Sequence, residues 1–545
     1  MSDIHFNGDY GAYNLPVANR PTLYGLLAVA AFLLILGCIN FINLSTARSI
    51  RRAKEIGVRK AMGSSRTRIM LEFISQTFLL TLIAAILAVC LIPFILHAFS
   101  DFIPAALHFS EIGQPAIVLF VLGLIIVVPL LCGIYPGLVL SRFNPATVLQ
   151  NQMYTGESNG RQSWLRKFLT ISQFTIAQFF VLVVILVGKQ LDYSLSKNMG
   201  FRKEAVIYFE FGHRNGVSAD SARSNKAALV NMLKAIPEIE MVSRSNKPPS
   251  SDRNRIGRLK YIDNKGETET MVYVKYADTN YTRLYQLKLL AGTNLDNSDT
   301  VKGMIINETY ARTLHFNHPR EAIGKYIEWE GMNVPVVGVV ADFNQRSLHE
   351  VIKPLLISTK SSEEDNVNVA LRPEQDGPRW SATIDKIRTA FKQLYPEDDF
   401  DYKFFDKDIA RYYESEQRLS RLLFWTSGLA IFICCLGLLG LVIYTTTQRM
   451  KEIGIRKVLG GSVGHIVTLI SKEFLLLIGC AFAIATPLAW IFMNRWLQNF
   501  ADRTEISWWL FVSGGLVMIV VSMATLGFQT VRAAMANPVR SLRTS

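Results

Sequence analysis

Two nearly identical ten-residue segments carry the most regular pattern of charged residues in this sequence. Residues 54–63 read KEIGVRKAMG and residues 451–460 read KEIGIRKVLG. Within each segment a glutamate precedes an arginine by four positions, which is the favourable order and spacing for an ion pair on a helix. The final glycine of each segment stands where a helix commonly ends. Each segment is therefore predicted to be a short helix, and its charged pairs are Glu55 with Arg59 and Glu452 with Arg456.

Two interpretations of these segments are open: a surface that contacts a partner, or a basic loop that only sets membrane topology. A loop that only sets membrane topology explains the lysines and arginines, but it does not explain the matched glutamate, isoleucine and glycine. A contact surface for a cytoplasmic partner explains the whole set. The residues assigned to it are Lys54, Glu55, Gly57, Arg59, Lys60 and Gly63 in the first segment, and Lys451, Glu452, Gly454, Arg456, Lys457 and Gly460 in the second.

Catalytic and metal-binding signatures do not stand out beside these segments. Gly324-Lys325 is followed by Tyr326 and has Pro319 in place of the first glycine, so it is not a phosphate-binding loop. His315 and His318 lack a nearby cysteine and predict a turn, not a zinc site. The sequence predicts a non-catalytic chain without cofactor or metal, in which any use of ATP depends on another polypeptide.

The elements that position the two segments are membrane spans. Of 545 residues 50% are apolar and only 19% are charged, and the apolar residues form runs long enough to cross a bilayer. This distribution excludes a soluble cytoplasmic enzyme. The seven predicted spans are 22–46, 73–96, 115–140, 168–188, 421–446, 474–497 and 508–530.

The net charge of +14 comes from segments that lie between or after the spans. Four segments that alternate onto one side (47–72, 141–167, 447–473 and 531–545) hold 20 Lys or Arg against 5 Asp or Glu, whereas residues 191–420 hold 33 of each. This is a positive-inside signal and not a nucleic-acid surface. The four segments and the C-terminus are therefore predicted to be cytoplasmic, with residues 1–21 and 191–420 outside.

The chain also contains an internal duplication. The two charged segments lie at a constant offset of 397, and each half closes with Asn-Pro after its third span, at Asn144-Pro145 and Asn537-Pro538. The second half is preceded by a further span and an outer domain. By the same order, the first half is expected to belong with an additional span and a first outer domain, of which residues 1–21 are a remnant.

Residues 191–420 are predicted to form one mixed α/β domain. Residues 206–209, 271–274 and 334–340 have the composition of strands, and residues 227–236, 308–314 and 380–395 that of helices. The six cysteines all fall in predicted spans, so the domain must be stable without disulfides. The fold class is an α-helical polytopic membrane protein of about seven spans, with one inserted extracytoplasmic α/β domain and an internal duplication.

Polar and small residues mark a seam between spans. At the 397 offset Asn40 corresponds to Gly437 and Asn43 to Gly440, and each pair lies on one helical face. Amides hydrogen-bond across helices and glycines allow close approach, so helix packing is predicted. A polar transport path along the two asparagines is the alternative.

Taken together, these motifs resemble the FtsX-like and MacB-like ABC permeases, in their tandem Bacteroidetes form. The resemblance covers essentially the whole chain. Its residues are Cys38–Ala47, both KEIG segments, the Asn-Pro closures and, in the outer domain, 306–309, 322–325, 339–344 and 347–349.

The resemblance implies a permease subunit of the mechanotransmission type in the bacterial inner membrane, with the N-terminus and residues 191–420 in the periplasm. It implies a separate cytoplasmic ATPase dimer that contacts the KEIG segments as coupling helices, and it allows a periplasmic adaptor or outer-membrane partner besides the lipid bilayer. A signalling or scaffold protein and an inactive truncated permease are the alternatives. The implied domains are 1–21 (remnant), 22–150 (three-span permease domain), 151–190 (linker and span), 191–420 (MacB-like periplasmic core domain) and 421–545 (second three-span domain).

Overall fold

The fold is taken from a computed structural model of the chain. It describes residues 20–51, 53–100, 109–141, 158–212, 219–252, 254–263, 266–372, 377–448, 455–456 and 462–535. The helices are α1 (Arg20–Arg51), α2 (Ala53–Ala61), α3 (Arg66–Ala98), α4 (Pro115–Ser141), α5 (Ser158–Ser196), α6 (Ala219–Lys234), α7 (Tyr281–Leu284), α8 (Glu308–Thr313), α9 (Gly377–Leu394), α10 (Phe405–Arg411), α11 (Glu414–Gln448), α12 (Val463–Leu497) and α13 (Trp508–Met535).

Seven of these helices are long and apolar enough to cross a membrane, which confirms the predicted number of spans. A bilayer core of about 30 Å needs roughly 20 apolar residues in a helix. The candidate spans are Leu23–Thr46, Arg66–Ala98, Pro115–Leu138, Trp164–Ser196, Glu414–Ile443, Val467–Leu497 and Trp508–Gly527.

The chain divides into two compact units. The first contains the spans, and its core is built around α5. Phe174, Ala177 and Val181 of that helix pack with residues of α1, α11, α12 and α13 in one apolar cluster. Because lipid is itself apolar, such a cluster is stabilised by close packing and not by exclusion of water.

The second unit comprises residues 189–417 together with 496–505. Its strands are β1 (Val206–Glu210), β2 (Ile239–Ser245), β3 (Arg255–Asp263), β4 (Gly266–Tyr276), β5 (Leu289–Gly292), β6 (Met304–Asn307), β7 (Tyr326–Trp329), β8 (Met332–Val340), β9 (Leu355–Ser358), β10 (Asn366–Leu371) and β11 (Tyr402–Phe404). They include the three strands predicted from the sequence, so the mixed α/β domain is confirmed.

The strands form two sheets. Four antiparallel strands in the order β11-β1-β10-β2 pack one face against α6 and α9. The other seven run in the order β5-β8-β6-β9-β4-β3-β7, and because β7 also pairs with β8 the sheet closes on itself. Closure leaves few strand edges free to pair with other chains.

Candidate coupling segment, helix seam and periplasmic junction

The first KEIG segment forms the short helix α2. Arg59 holds this helix in place through two carboxylates. Its guanidinium lies 2.6 Å from Glu55 Oε1 on the same helix, and 3.1 Å and 3.2 Å from the two oxygens of Glu72 on α3. All three side chains are about half exposed, so each pair stabilises the local structure by only about 0.2–1 kcal/mol.

The turn from α2 to α3 is specified by backbone hydrogen bonds and a cap. Gly63 has a φ of +96°, which favours glycine. The N–H groups of Gly63 and Ser64 donate to the carbonyls of Lys60 and Arg59, both at 3.0 Å, which is the glycine-ended arrangement that closes many helices. Ser65 then begins α3 by accepting a bond from the Arg68 N–H. The segment therefore ends and turns in a defined way.

One face of α2 packs inward and another is exposed. Ile56 is buried against Ile69 and Phe73 of α3, while Val58 is 45% and Met62 81% exposed. In the second segment Ile455, the counterpart of Val58, is helical and 54% exposed. Sequence reasoning did not single out this apolar position. The signal was present, because both segments carry a β-branched residue there.

The other predicted members of the two segments lie partly in the described helices. Gly57 lies in α2 and is buried. Partial burial, and after it the positive charge of Arg66, lowers the pKa of Lys60. Arg456 is helical. The side chain of Lys54 and the residues Lys451, Glu452, Gly454, Lys457 and Gly460 lie outside the described residues.

The predicted seam brings Asn40 and Gly437 together. A Cβ atom added to Gly437 would lie 2.7 Å from Asn40 Oδ1 on α1 and 2.7 Å from Gln173 Nε2 on α5, and one added to Gly440 would overlap Leu44. The glycines of α11 therefore allow close approach of two helices. Asn43 is 4% exposed, and its side-chain oxygen has no hydrogen-bond partner among the described residues.

A junction in the second unit involves residues that the sequence analysis did not place together. The Leu348 N–H donates to the Tyr413 hydroxyl at 2.8 Å, and the Leu348 carbonyl accepts from the Asp502 N–H at 3.1 Å. The ring of His349 stacks 4.1 Å from that of Phe500, and its Nε2 lies 3.4 Å from Glu416 Oε1. Residues 347–349 thus bind the start of α11 to the segment that follows α12.

The same segment also binds the end of α5. Tyr193 donates its hydroxyl to Asp502 Oδ1 at 2.8 Å, Lys197 forms an ion pair with the same carboxylate, and the Thr504 N–H donates to Gln190 Oε1 at 2.9 Å. Residues 496–505 therefore connect both helical extensions of the second unit. The sequence signal was weak, because contacts between residues about 310 positions apart leave no periodic pattern.

The described residues contain no cluster of three metal-ligating side chains. His315 has a φ of +64° at the end of α8, which fits the turn expected at this position. The described parts of the KEIG segments and of the seam offer helix surfaces for contact with other helices.

Comparison with known proteins gives the family. The FtsX-like permease C-terminal profile matches residues 27–145 and again 425–538, and the MacB-like periplasmic core domain profile matches 168–387. The chain is 22% identical over 389 residues to the uncharacterized ABC transporter permease YknZ of Bacillus subtilis, covering 70% of this chain and 95% of that protein.

Two macrolide export ATP-binding/permease proteins named MacB match more narrowly. That of Campylobacter jejuni is 29% identical over 147 residues and that of Bdellovibrio bacteriovorus 30% over 130, covering 27% and 24% of this chain but only 22% and 19% of those proteins. The periplasmic region of MacB from Actinobacillus actinomycetemcomitans aligns with a TM-score of 0.28 and 16% identity, over 39% of this chain and 95% of that one.

The two profile matches to the three-span units agree with the internal duplication found in the sequence. Together with the match across the second unit they account for most of the chain. The chain therefore belongs to the ABC transporter permeases that combine FtsX-like membrane domains with a MacB-like periplasmic core domain.

Proposed function

We propose that this permease works by mechanotransmission. In this proposal a separate cytoplasmic ATPase dimer binds the two KEIG segments, and its ATP-driven movement is passed along the spans to the periplasmic domain. There it drives efflux or extraction of a substrate from the periplasm. The inner-membrane setting follows from the family, and the N-terminus and residues 191–420 are proposed to be periplasmic with the C-terminus cytoplasmic.

The main support for this proposal is an exposed apolar residue in each KEIG segment. Val58 and Ile455 occupy the same motif position and are both about half exposed, next to arginines that are also in the motif. An exposed apolar residue next to a charged one suits a protein contact, where a buried apolar side chain provides affinity and neighbouring charges provide orientation. A loop that only sets topology would not need it.

The contacts between the segment and α3 support the same role. Arg59 bridges α2 to α3, and the Gly63 turn fixes the angle between the two helices. A partner that pushes on α2 would therefore move α3 with it. Helices α5 and α11 also continue past the apolar part of their spans, to Ser196 and from Glu414, as a transmission role requires.

The experiment is a matched pair of variants in the full chain, purified from its native membrane. Val58→Asp with Ile455→Asp places a carboxylate at the centre of each proposed contact. The control is Thr67→Asp, which adds the same charge to the exposed first turn of α3, where a negative charge is favourable.

We expect the wild type and the control to co-purify with an ABC ATPase subunit and to hydrolyse ATP. The double variant should reach the membrane in normal amounts but lose the ATPase, since burying an unpaired charge at an interface costs roughly 2–5 kcal/mol. Equal recovery of the ATPase with the double variant would refute the coupling role.

A further inference from the structure

The ring of His349 lies where three segments of the second unit meet. Its centre is 4.1 Å from that of the Phe500 ring, which follows α12, and 5.9 Å from that of the Tyr413 ring, which precedes α11. Its Nε2 lies 3.4 Å from Glu416 Oε1 in the first turn of α11. His349 belongs to the motif 347–349, which neither the coupling role nor the helix seam uses.

The loop that carries His349 is closed at its base by groups whose charge does not change with pH. The Gln345 side-chain amide donates to the Lys353 carbonyl at 2.7 Å and accepts from the Lys353 N–H at 3.0 Å. Asn307 donates to the same carbonyl at 3.0 Å and accepts from the Leu355 N–H at the start of β9. The base of the loop therefore stays against the seven-stranded sheet whether or not His349 is charged, and a change of charge acts on the tip of the loop.

Both ring nitrogens of His349 have a partner that suits the neutral ring and the charged ring. A neutral imidazole has one donor nitrogen and one acceptor nitrogen, and a charged one has two donors. The Glu416 carboxylate only accepts, so Nε2 carries the proton of the neutral ring, and Nδ1 accepts from the Ser347 hydroxyl at 3.1 Å. When the ring is charged, the same hydroxyl turns and accepts from Nδ1. Protonation therefore leaves no polar atom of the ring without a partner.

A proton on the ring strengthens the contacts that the ring makes. The hydrogen bond to Glu416 becomes an ion pair, and because the two side chains are only 27% and 19% exposed, salt screens it less than a surface pair. A cation stacked on an aromatic face is attracted to that face, which applies to Phe500 and Tyr413. These contacts should tighten as the pH falls through the range in which histidine ordinarily takes up a proton, about pH 6.5, and weaken where glutamate does so, about pH 4.3.

The elements that pack against the ring carry other charged groups, and several of these form ion pairs with one another. The pairs are Asp502 with Lys197, and Glu350 with Arg346 and Lys353. Further charges on these elements are Glu414, Arg418, Arg421, Arg503 and Glu505. Burial raises the pKa of Tyr413 to about 12, so its hydroxyl stays neutral near pH 7. Glu416 is the carboxylate placed at the ring, and its second oxygen accepts from the Ser415 hydroxyl at 2.9 Å.

We propose that His349 and Glu416 form a pH-sensitive clamp, which closes the junction when the ring is charged and loosens it when the ring is neutral. The Leu348 N–H donates to the Tyr413 hydroxyl, and the Leu348 carbonyl accepts from the Asp502 N–H. The residue beside His349 is thus hydrogen-bonded to the same two segments that the ring contacts. Closing the clamp therefore holds together the loop, the start of α11 and the segment after α12. The clamp lies inside the second unit, and its action does not depend on how the permease is driven.

The test measures amide exchange in the full chain, purified in detergent, at about pH 5.5 and about pH 8, on either side of the ordinary histidine range. The Asp502 N–H reports opening, because it is hydrogen-bonded across the junction and local opening sets its exchange. Glu416→Gln removes the carboxylate charge but keeps an oxygen that accepts from Nε2, and His349→Gln removes the titrating ring. His318→Gln is the matched control, since His318 is an exposed histidine of the same unit. Comparing variants at one pH cancels the chemical dependence of exchange on pH.

We expect exchange at Asp502 to be about three- to tenfold slower in the wild type than in Glu416→Gln or His349→Gln at the acid pH, and less than about twofold slower at pH 8. His318→Gln should match the wild type at both. The same ratio of wild type to Glu416→Gln at both pH values would overturn the proposal, because the pair would then act without the proton. Acid protection that persists in Glu416→Gln would overturn it too, and this variant keeps the stacked ring even if His349→Gln folds poorly. A pH-dependent change in His318→Gln as large as that in His349→Gln would assign the effect to the overall charge of the unit and not to the clamp.

Discussion

The two copies of the repeat share a motif, a helix order and a hydropathy pattern, yet they bury their matched residues to different extents. Phe474 in copy 2 is almost fully buried, and its counterpart Phe78 in copy 1 is widely exposed. The difference lies in α5, which packs with α11, α12 and α13. Matched helices of the two copies therefore have the same apolar pattern, as in residues 74–80 (ISQTFLL) and 470–476 (ISKEFLL). How far their residues are buried depends on which other helices pack against each copy.

The largest expected effect is all-or-none labelling of introduced thiols, which reports on which side of the membrane each copy places its KEIG segment. Met62 and Ile455 are exposed positions of the two KEIG segments. If both segments are cytoplasmic, Met62→Cys and Ile455→Cys should react with an impermeant maleimide only after spheroplasts are permeabilised. Val351→Cys, at 67% exposure in the second unit, should react in intact spheroplasts. Reaction of only one of the two thiols in intact spheroplasts would show that the two KEIG segments lie on opposite sides of the membrane. The two copies could then not play matched roles.

Much of this architecture could be predicted because it is local. Hydropathy gave seven spans, the i,i+4 spacing gave the Glu55–Arg59 pair, and the closing glycine gave the turn at Gly63. The ion pair between Arg59 and Glu72 and the contact between Gly514 and Leu182 could not be predicted. They join residues that are distant in sequence, and neither helical period nor propensity specifies which neighbour a face receives.

The next largest effect tests burial directly. Phe474→Ala should destabilise the protein in detergent by roughly 3–5 kcal/mol, the cost of the cavity that a lost phenylalanine leaves in a packed core. Phe78→Ala removes the same atoms from an exposed site and should change stability by about 0.5 kcal/mol or less. Thermal unfolding of both variants measures the contrast, and equal losses would mean that the Phe78 face is packed as tightly as that of Phe474.

A smaller effect is expected at the seam where the copies meet. Gly440→Val adds a side chain that overlaps Leu44 and should cost about 1–3 kcal/mol, as overpacking does. Gly428→Val on the same helix is the control, since a Cβ there meets no described atom within 4 Å. If the two variants unfold at the same temperature, close approach of α1 and α11 is not what stabilises the seam.

The smallest effect concerns the KEIG segment of copy 1, where Arg59 has a second carboxylate in Glu72. The aligned positions in copy 2 are Thr468 and Leu469, so copy 2 has no carboxylate at this point of its third helix. Glu72→Gln should therefore weaken the attachment of α2 to α3 and leave the Glu55–Arg59 pair within α2 intact.

Both charges are about half exposed, and such pairs contribute about 0.2–1 kcal/mol and weaken as salt screens them. A change this small will not shift global unfolding, but it should speed amide exchange in residues 55–61, where opening is local. Arg59→Ala should speed it further, and Glu72→Gln should add little in that background because both remove the same pair. The difference between wild type and Glu72→Gln should also shrink at 1 M salt, where the Debye length is about 3 Å. Exchange that is faster in Glu72→Gln by the same factor at low and high salt would show that Glu72 acts by packing, and that the joint between α2 and α3 is not electrostatic.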